Sequence, residues 1–372
     1  MSSSTLADDL LKAAIALGLA PVCALLPATS NAESAPTEGY VGFRMLDYRD
    51  SQPGLDRMRI RANAVSWLMP AGENWALEGS WLQDAISGAS PAYYSAIPSA
   101  KRITDQRTAT ELRATRYLPE GSVGVGAAYS NEADYRSTAV SVSATRQSPS
   151  KNTTVNVGIG RTEDVINPIN QVVRDARKQI NEALIGVTQI LTPQDIVQIN
   201  LGRSFGNGYF TDPYKLLDHR PGERNSTALL TRWNHHFEDL QATLRLSHRL
   251  YRDSFQIHSV TWTAEWAQEL GGDWTITPIY RAYRQSAAYF YVPSDPDEPN
   301  RIKLPVGTIP GMSLLSLDQR VSAFRATTLG LKIARKFGRL WSVEARLERY
   351  QQRSAETPLD ATFSQISVVR KF

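Results

Sequence analysis

From Leu240 to Tyr251 the side chains alternate in period two: Leu240, Ala242, Leu244, Leu246 and Leu250 share one face, and Gln241, Thr243, Arg245, Ser247 and Arg249 share the other. A helix would scatter both sets around its axis, whereas a strand separates them cleanly. The pattern returns near the C-terminus, where Trp341, Val343, Ala345 and Leu347 alternate with Ser342, Glu344, Arg346 and Glu348. It appears again in Val155, Val157 and Ile159 against Asn156, Gly158 and Gly160, and in Val260, Trp262, Ala264 and Trp266 against Ser259, Thr261, Thr263 and Glu265. Arg57, Arg59 and Arg61 interleave with Met58, Ile60 and Ala62. Strands of this kind, about 9 to 11 residues long, are what a membrane-spanning barrel requires, with apolar side chains towards lipid and polar ones towards the interior.

Candidate strands begin near Tyr40, Met58, Trp75, Arg107, Val123, Thr138, Thr153, Leu184, Ile196, Thr227, Leu240, His258, Trp274, Val321, Trp341 and Thr362, which predicts a closed antiparallel all-β barrel of about sixteen strands, with fourteen as the alternative. The connections give an independent test, because such barrels have short periplasmic turns and longer outer loops. Every second connection is short: Pro70 to Asn74, Pro119 to Gly121, Ser148 to Asn152, Thr192 to Asp195, Glu238 to Asp239, Gly271 to Asp273 and Gly338 to Leu340. The long ones, Ile86 to Ile103, Glu163 to Ala183, Tyr209 to Asn225 and Val292 to Leu315, fall on the other side. Within the second of these, Asn170 to Glu182 has helix-compatible spacing.

Aromatic residues sort in the same way. Trp75, Trp274 and Trp341 follow short turns, Phe237 and Phe337 precede them, and Phe372 ends the chain, as expected of interface residues; the alternative is aromatic packing in a soluble sandwich. Composition fits neither disorder nor a helical bundle in the membrane, with 21% charged and 42% hydrophobic residues. The apolar run from Ala13 to Leu26, followed by Ser30-Asn31-Ala32, reads as a signal peptide cut after Ala32, leaving residues 33–372 as the barrel. Asp8 and Asp9 oppose Lys12 in a weak leading segment, for which an amphipathic helix is the alternative. The single cysteine, Cys23, lies within the run, so the mature chain would have no thiol.

Phe372 is preceded at alternate positions by Arg370, Val368 and Ile366, which resembles the terminal signal read by the outer-membrane barrel assembly machinery, with Arg370 as a departure. The chain also resembles the bacterial family known only as domain of unknown function 3570. The resemblance rests on Tyr48 to Gln52, Asp84 to Pro91, Val187 to Pro193, Tyr209 to Arg224 with its Asp212-Pro213-Tyr214-Lys215 and Asp218-His219-Arg220-Pro221, and Ser286 to Tyr291. It implies an outer-membrane location in Gram-negative bacteria and, from neighbouring genes for flavin-transferring and thioredoxin-like exported proteins, a periplasmic redox partner. It assigns no site.

The faces expected to point inwards carry Arg57, Arg59, Arg61, Arg113, Arg245, Arg249, Arg281 and Arg346 against Glu78, Glu111, Glu265, Glu344 and Glu348. A cation-rich lumen for anionic solutes is one reading; opposed charges pairing across a partly filled interior is the other. Among the outer loops, Asp212, Asp218, His219, Arg220, Glu223 and Arg224 form a mixed-charge cluster suited to a ligand or to local ion pairing. Asp295, Asp297 and Glu298 offer oxygens for a cation, but Pro296 and Pro299 favour a rigid loop.

The five histidines have no metal-ligand spacing, and no local Ser and His pairing suggests a hydrolase, so neither cofactor nor catalytic site is expected. The net charge of +4 is spread along the chain without a basic tract, which argues against nucleic acid. The expected function is a porin-like channel or a transport or export component in contact with outer-membrane lipid. The alternative is a non-conducting scaffold that docks a periplasmic or surface partner.

Overall fold

The computed structural model describes residues 34–88, 103–215, 217–293, 304–305, 307–308, 313–354 and 358–372. The expected leader with its cleavage point at Ala32, Cys23, and the Asp295, Asp297 and Glu298 group lie outside the described residues. Sixteen strands follow one another: β1 (Tyr40–Gln52), β2 (Leu55–Pro70), β3 (Trp75–Gly88), β4 (Ile103–Leu118), β5 (Gly121–Asn131), β6 (Tyr135–Gln147), β7 (Thr153–Ile166), β8 (Ala176–Ile190), β9 (Asp195–Gly208), β10 (Glu223–Phe237), β11 (Ala242–Asp253), β12 (His258–Leu270), β13 (Trp274–Gln285), β14 (Phe324–Phe337), β15 (Trp341–Ser354) and β16 (Leu359–Lys371). Each pairs antiparallel with its sequence neighbours, and β1 pairs with β16, from Tyr40 against Lys371 to Ser51 against Asp360, so the ring closes. Closure removes both sheet edges, leaving no row of unpaired peptide groups for hydrocarbon to meet.

The alternation sets which way each strand faces. Along β15, Trp341 and Leu347 are 46% and 57% exposed, while Arg346 between them is 5% exposed. Outward residues oppose outward residues across every ladder, as in the rung Leu347, Leu331 and Pro278. At the end where β2 meets β3, β12 meets β13 and β14 meets β15, the connections are tight turns. All three of these turns use glycine at positive φ, Gly72 at 72°, Gly272 at 74° and Gly338 at 60°. The other end carries the long connections, above all residues 286–323 between β13 and β14.

Two expectations give way here. Asn170 to Glu182 forms no helix: β7 continues to Ile166, a turn occupies 167–175, and β8 starts at Ala176. Helical spacing over so few residues has little weight against two long flanking strands whose backbone groups pair with each other from Ile166↔Ala176 onwards. Arg59 and Arg61 also face outwards. Asp47, Arg49, Arg59 and Arg61 lie on the face of Val41, Phe43 and Met45, while Leu46, Ile60 and Ala62 are buried inside. The inversion lies at the long-loop end of β1 and β2, beyond the apolar rungs, and Asp47 pairs there with Arg59 and, at 2.8 Å, with Arg49.

Candidate functional site

The interior wall is ionic, and its charges are largely matched. Arg57 turns inwards although Arg59 does not, because the ladder shifts register between Asp50 and Ser51. Its Nε donates to Asp50 Oδ1 at 3.0 Å, and the same buried carboxylate accepts from Tyr48 Oη at 3.0 Å and from the Met58 amide at 3.0 Å. Across β3 and β4, Arg107 donates to Asp84 at 2.7 Å. Lys178 and Asp164 stand directly opposite on β8 and β7, 3.1 Å apart, and Lys178 Nζ also donates to Tyr135 Oη at 3.0 Å. Asp253 of β11 accepts from Arg224 at 2.7 Å and from Tyr251 Oη at 2.9 Å. Buried charges persist where a partner of opposite sign and hydrogen bonds compensate for lost hydration.

Of the residues expected to line the interior, Glu78, Glu111, Arg113, Arg245, Arg249, Glu265, Arg281, Glu344, Arg346 and Glu348 occupy inward positions. Arg346 Nε donates to Glu348 at 2.7 Å, Arg245 lies 3.8 Å from Glu265, and Lys332 lies 3.9 Å from Glu344. Glu78 and Arg113 are cross-strand partners, and Arg113 donates to Ser143 Oγ at 2.9 Å. Arg249 lies over the Tyr251 ring, 5.0 Å from its centre.

Over the long-loop end of the barrel, three connections interlock into a cap. Phe255 and Ile257, from the turn between β11 and β12, bury themselves against Ala288, Phe290 and Val321 of the 286–323 connection. The connection between β9 and β10 contributes Asp218 and Arg220. The Arg220 guanidinium donates to Asp218 Oδ1 at 3.0 Å and to Asp318 Oδ2 at 2.7 Å, and all three side chains are at most 7% exposed. Arg320, in a single 3-10 turn (Gln319–Val321), pairs with Asp318 and with Asp212, joining the loops a second time. Burial opposes ionisation of Asp318, but the charges of Arg320, Arg220 and Lys215 outweigh it and hold that carboxyl far below the usual range. Burial lowers the Lys215 ammonium from its ordinary value.

The cap is braced on several sides of the mouth. Gln52 at the end of β1 donates to Gln319 at 3.2 Å. Tyr214 bonds to Asp134 in the turn between β5 and β6, and Asn170 donates to the Pro213 carbonyl at 2.8 Å. His219 adds a backbone bridge to Leu315, while Glu223 is exposed at the rim and Arg224 belongs to the wall. Asp318 and Arg320 are cap residues that sequence reasoning missed. Their partners in the other loop lie 98 and 108 positions away, Arg220 for Asp318 and Asp212 for Arg320.

At the tight-turn end, Trp75, Trp274, Trp341, Phe337 and Phe372 are all exposed on the outside. Arginines lie over several of these rings: Arg116 on Trp75, Arg335 on Trp274 and Phe337, and Arg370 on Trp341 at 5.5 Å. Phe237 packs between His235 and Trp266. His235 and His236 point to opposite faces, the first bonded to Asp195 at 2.8 Å and the second to Thr243 at 3.1 Å. No group of three or more potential metal ligands occurs among the described residues.

The fold is shared with outer-membrane barrels of solved structure. A bacterial polysaccharide outer membrane secretin aligns with a TM-score of 0.51 and 8% identity over 89% of this chain and 98% of its own. The CymD monoaromatic hydrocarbon channel aligns at 0.47 and 11% over 90% and 88%, and OccK1 of Pseudomonas aeruginosa at 0.46 and 9% over 90% and 98%. No curated protein matches the sequence. The model of the family described as "Protein of unknown function (DUF3570)" matches residues 10–368, and the chain belongs to that family.

Proposed function

We propose that the protein is an outer-membrane transport barrel whose outer mouth is closed by the interlocked cap, so that passage requires the cap to yield. The observation that carries this reading is the Arg220 clasp between two loops that are otherwise separate in sequence, set over a ring with an ionic interior. Sixteen strands make a ring wide enough for an aqueous channel, so any narrowing must come from side chains and loops. In this orientation the tight turns and the aromatic and arginine girdle face the periplasm. Outer-membrane lipid surrounds the ring, and the barrel assembly machinery receives the last strand through Phe372.

Planar-bilayer recording of the purified protein tests the reading. Rare or small current steps in the native barrel and frequent, larger ones in Arg220→Ala are the expected result. A second reading is favoured by the pairing of interior charges, Lys178 with Asp164 and Arg107 with Asp84, which suits a filled, non-conducting scaffold for a periplasmic partner, a redox protein among the candidates. Silence from both native and Arg220→Ala barrels, with a periplasmic protein retained on purification, would favour that scaffold. No step of either reading needs catalysis.

A further inference from the structure

The outer wall carries a row of like charges. Arg284 on β13 stands directly opposite Arg325 on β14, and Arg325 directly opposite Arg353 on β15. All three are exposed, face away from the lumen and lie one residue from the outer end of their strands. Among the described residues Arg284 and Arg325 have no carboxylate partner, while Arg353 lies 3.5 Å from Asp360. Like charges directly opposed across a ladder are unfavourable, so a row of three calls for an anion in common.

The same rung continues in the other direction as Val260, Leu250, Leu229 and Leu201 on β12 to β9. Leu201 is seven residues short of the outer end of β9 and Leu250 three short of the end of β11. The rung therefore climbs from deep apolar side chains to rim arginines as it crosses the tilted strands. Along β14, Arg325 lies four residues beyond Leu329, the last apolar outward residue, or about 10 Å higher at the usual rise and tilt. That height is where hydrocarbon gives way to headgroups. A groove of about 1090 Å³ follows this rung and includes Leu201, Leu229, Leu250, Arg284, Arg325 and Arg353 in its lining.

We infer that this groove seats a phosphate-bearing glycolipid of the outer leaflet, with its phosphate on Arg284, Arg325 and Arg353 and an acyl chain along Leu250, Leu229 and Leu201. Guanidinium suits phosphate because its fixed donors match the oxygens in pairs. The inference rests on the outer-membrane reading above, which sets which solvent each height meets.

The test uses the full barrel folded in detergent, with native mass spectrometry reading retention of a bis-phosphorylated diglucosamine lipid, its dephosphorylated form, phosphatidylethanolamine and inorganic phosphate. The bis-phosphorylated lipid should be retained at least tenfold better than the dephosphorylated form or phosphatidylethanolamine. Arg284→Gln/Arg325→Gln/Arg353→Gln should abolish that preference. Arg49→Gln/Arg59→Gln/Arg61→Gln, on the far side of β16, should keep it. Equal retention by the first variant, indifference to lipid phosphate, or binding of inorganic phosphate alone as strongly as of the lipid overturns the proposal. Heat-modifiable migration on gels monitors the barrel separately: its loss in the native protein would count against the membrane reading, and its presence without lipid preference against the docking site alone.

Discussion

Removing Arg220 should open the cap without unfolding the barrel. Its guanidinium compensates two buried carboxylates, Asp218 at 0% and Asp318 at 3% side-chain exposure. After Arg220→Ala, Asp318 keeps Arg320, but among the described residues Asp218 keeps only the Asp212 amide, at 2.6 Å. Leaving a buried charge without its partner costs about 3–5 kcal/mol. At about 1.4 kcal/mol per factor of ten, the open fraction should rise by roughly two to three and a half orders of magnitude. Trypsin cleavage at Lys215 is the assay, because slow cleavage of a rapidly opening segment follows the open population. Adding Asp218→Asn should recover much of the protection by removing the orphaned charge. Since Asp318 titrates below its unfolded value, its contribution is complete above about pH 4, where the unfolded carboxyl is ionised, and shrinks as pH falls below that. Cleavage at each pH, taken relative to that of an unfolded reference peptide, should be flat from pH 5 to 8. Unchanged cleavage in Arg220→Ala, or a protection step near neutrality, would refute the clasp.

Three further changes test the wall. Ala345→Arg puts a charge near the middle of the apolar band and should cost about 2–4 kcal/mol in denaturant unfolding from lipid vesicles; an unchanged midpoint would show that this face does not meet hydrocarbon. Asp164→Ala leaves Lys178, 6% exposed, without its carboxylate and should cost about 3–5 kcal/mol in the same assay, with Lys178→Met as the second change restoring stability. Deleting Phe372 removes both of its backbone hydrogen bonds to Gly39, each 3.0 Å, at the closing seam, and should lower the yield of folded barrel in cells, with full yield counting against a role in closure.

Ring closure, strand number and the sorting of short turns from long loops were legible because they follow from local period and spacing. Leu347 outside and Arg346 inside illustrate it: adjacent residues meet solvents so different that the pattern admits one orientation. The cap was not legible. Asp318 and Arg220 are joined by a loop packing that no periodicity encodes, and the Asp212 to Arg224 stretch showed charge without showing its partner. The bulge that turns Arg57 inwards was equally hidden, since a register shift between Asp50 and Ser51 leaves the composition untouched.

Arg59 and Arg61 show where the alternation rule itself changes sign. Reading their face as inward assumed that charge always avoids the outside, which holds only at heights where the outside is hydrocarbon. In the proposed orientation the surroundings towards the outer rim are anionic and wet, and an outward arginine gains contacts there that it would lose among acyl chains. Inside at that height, Leu46 and Ala62 pack against Tyr48, Leu82 and Phe363 of β1, β3 and β16. The same reversal puts Arg284, Arg325 and Arg353 outside on the neighbouring arc across β16. If the barrel sits in the outer membrane as proposed, orientation along each strand is set by two solvents exchanged along the membrane normal, and a run of outward arginines without outward apolar neighbours, such as Arg59 and Arg61, belongs above the hydrocarbon.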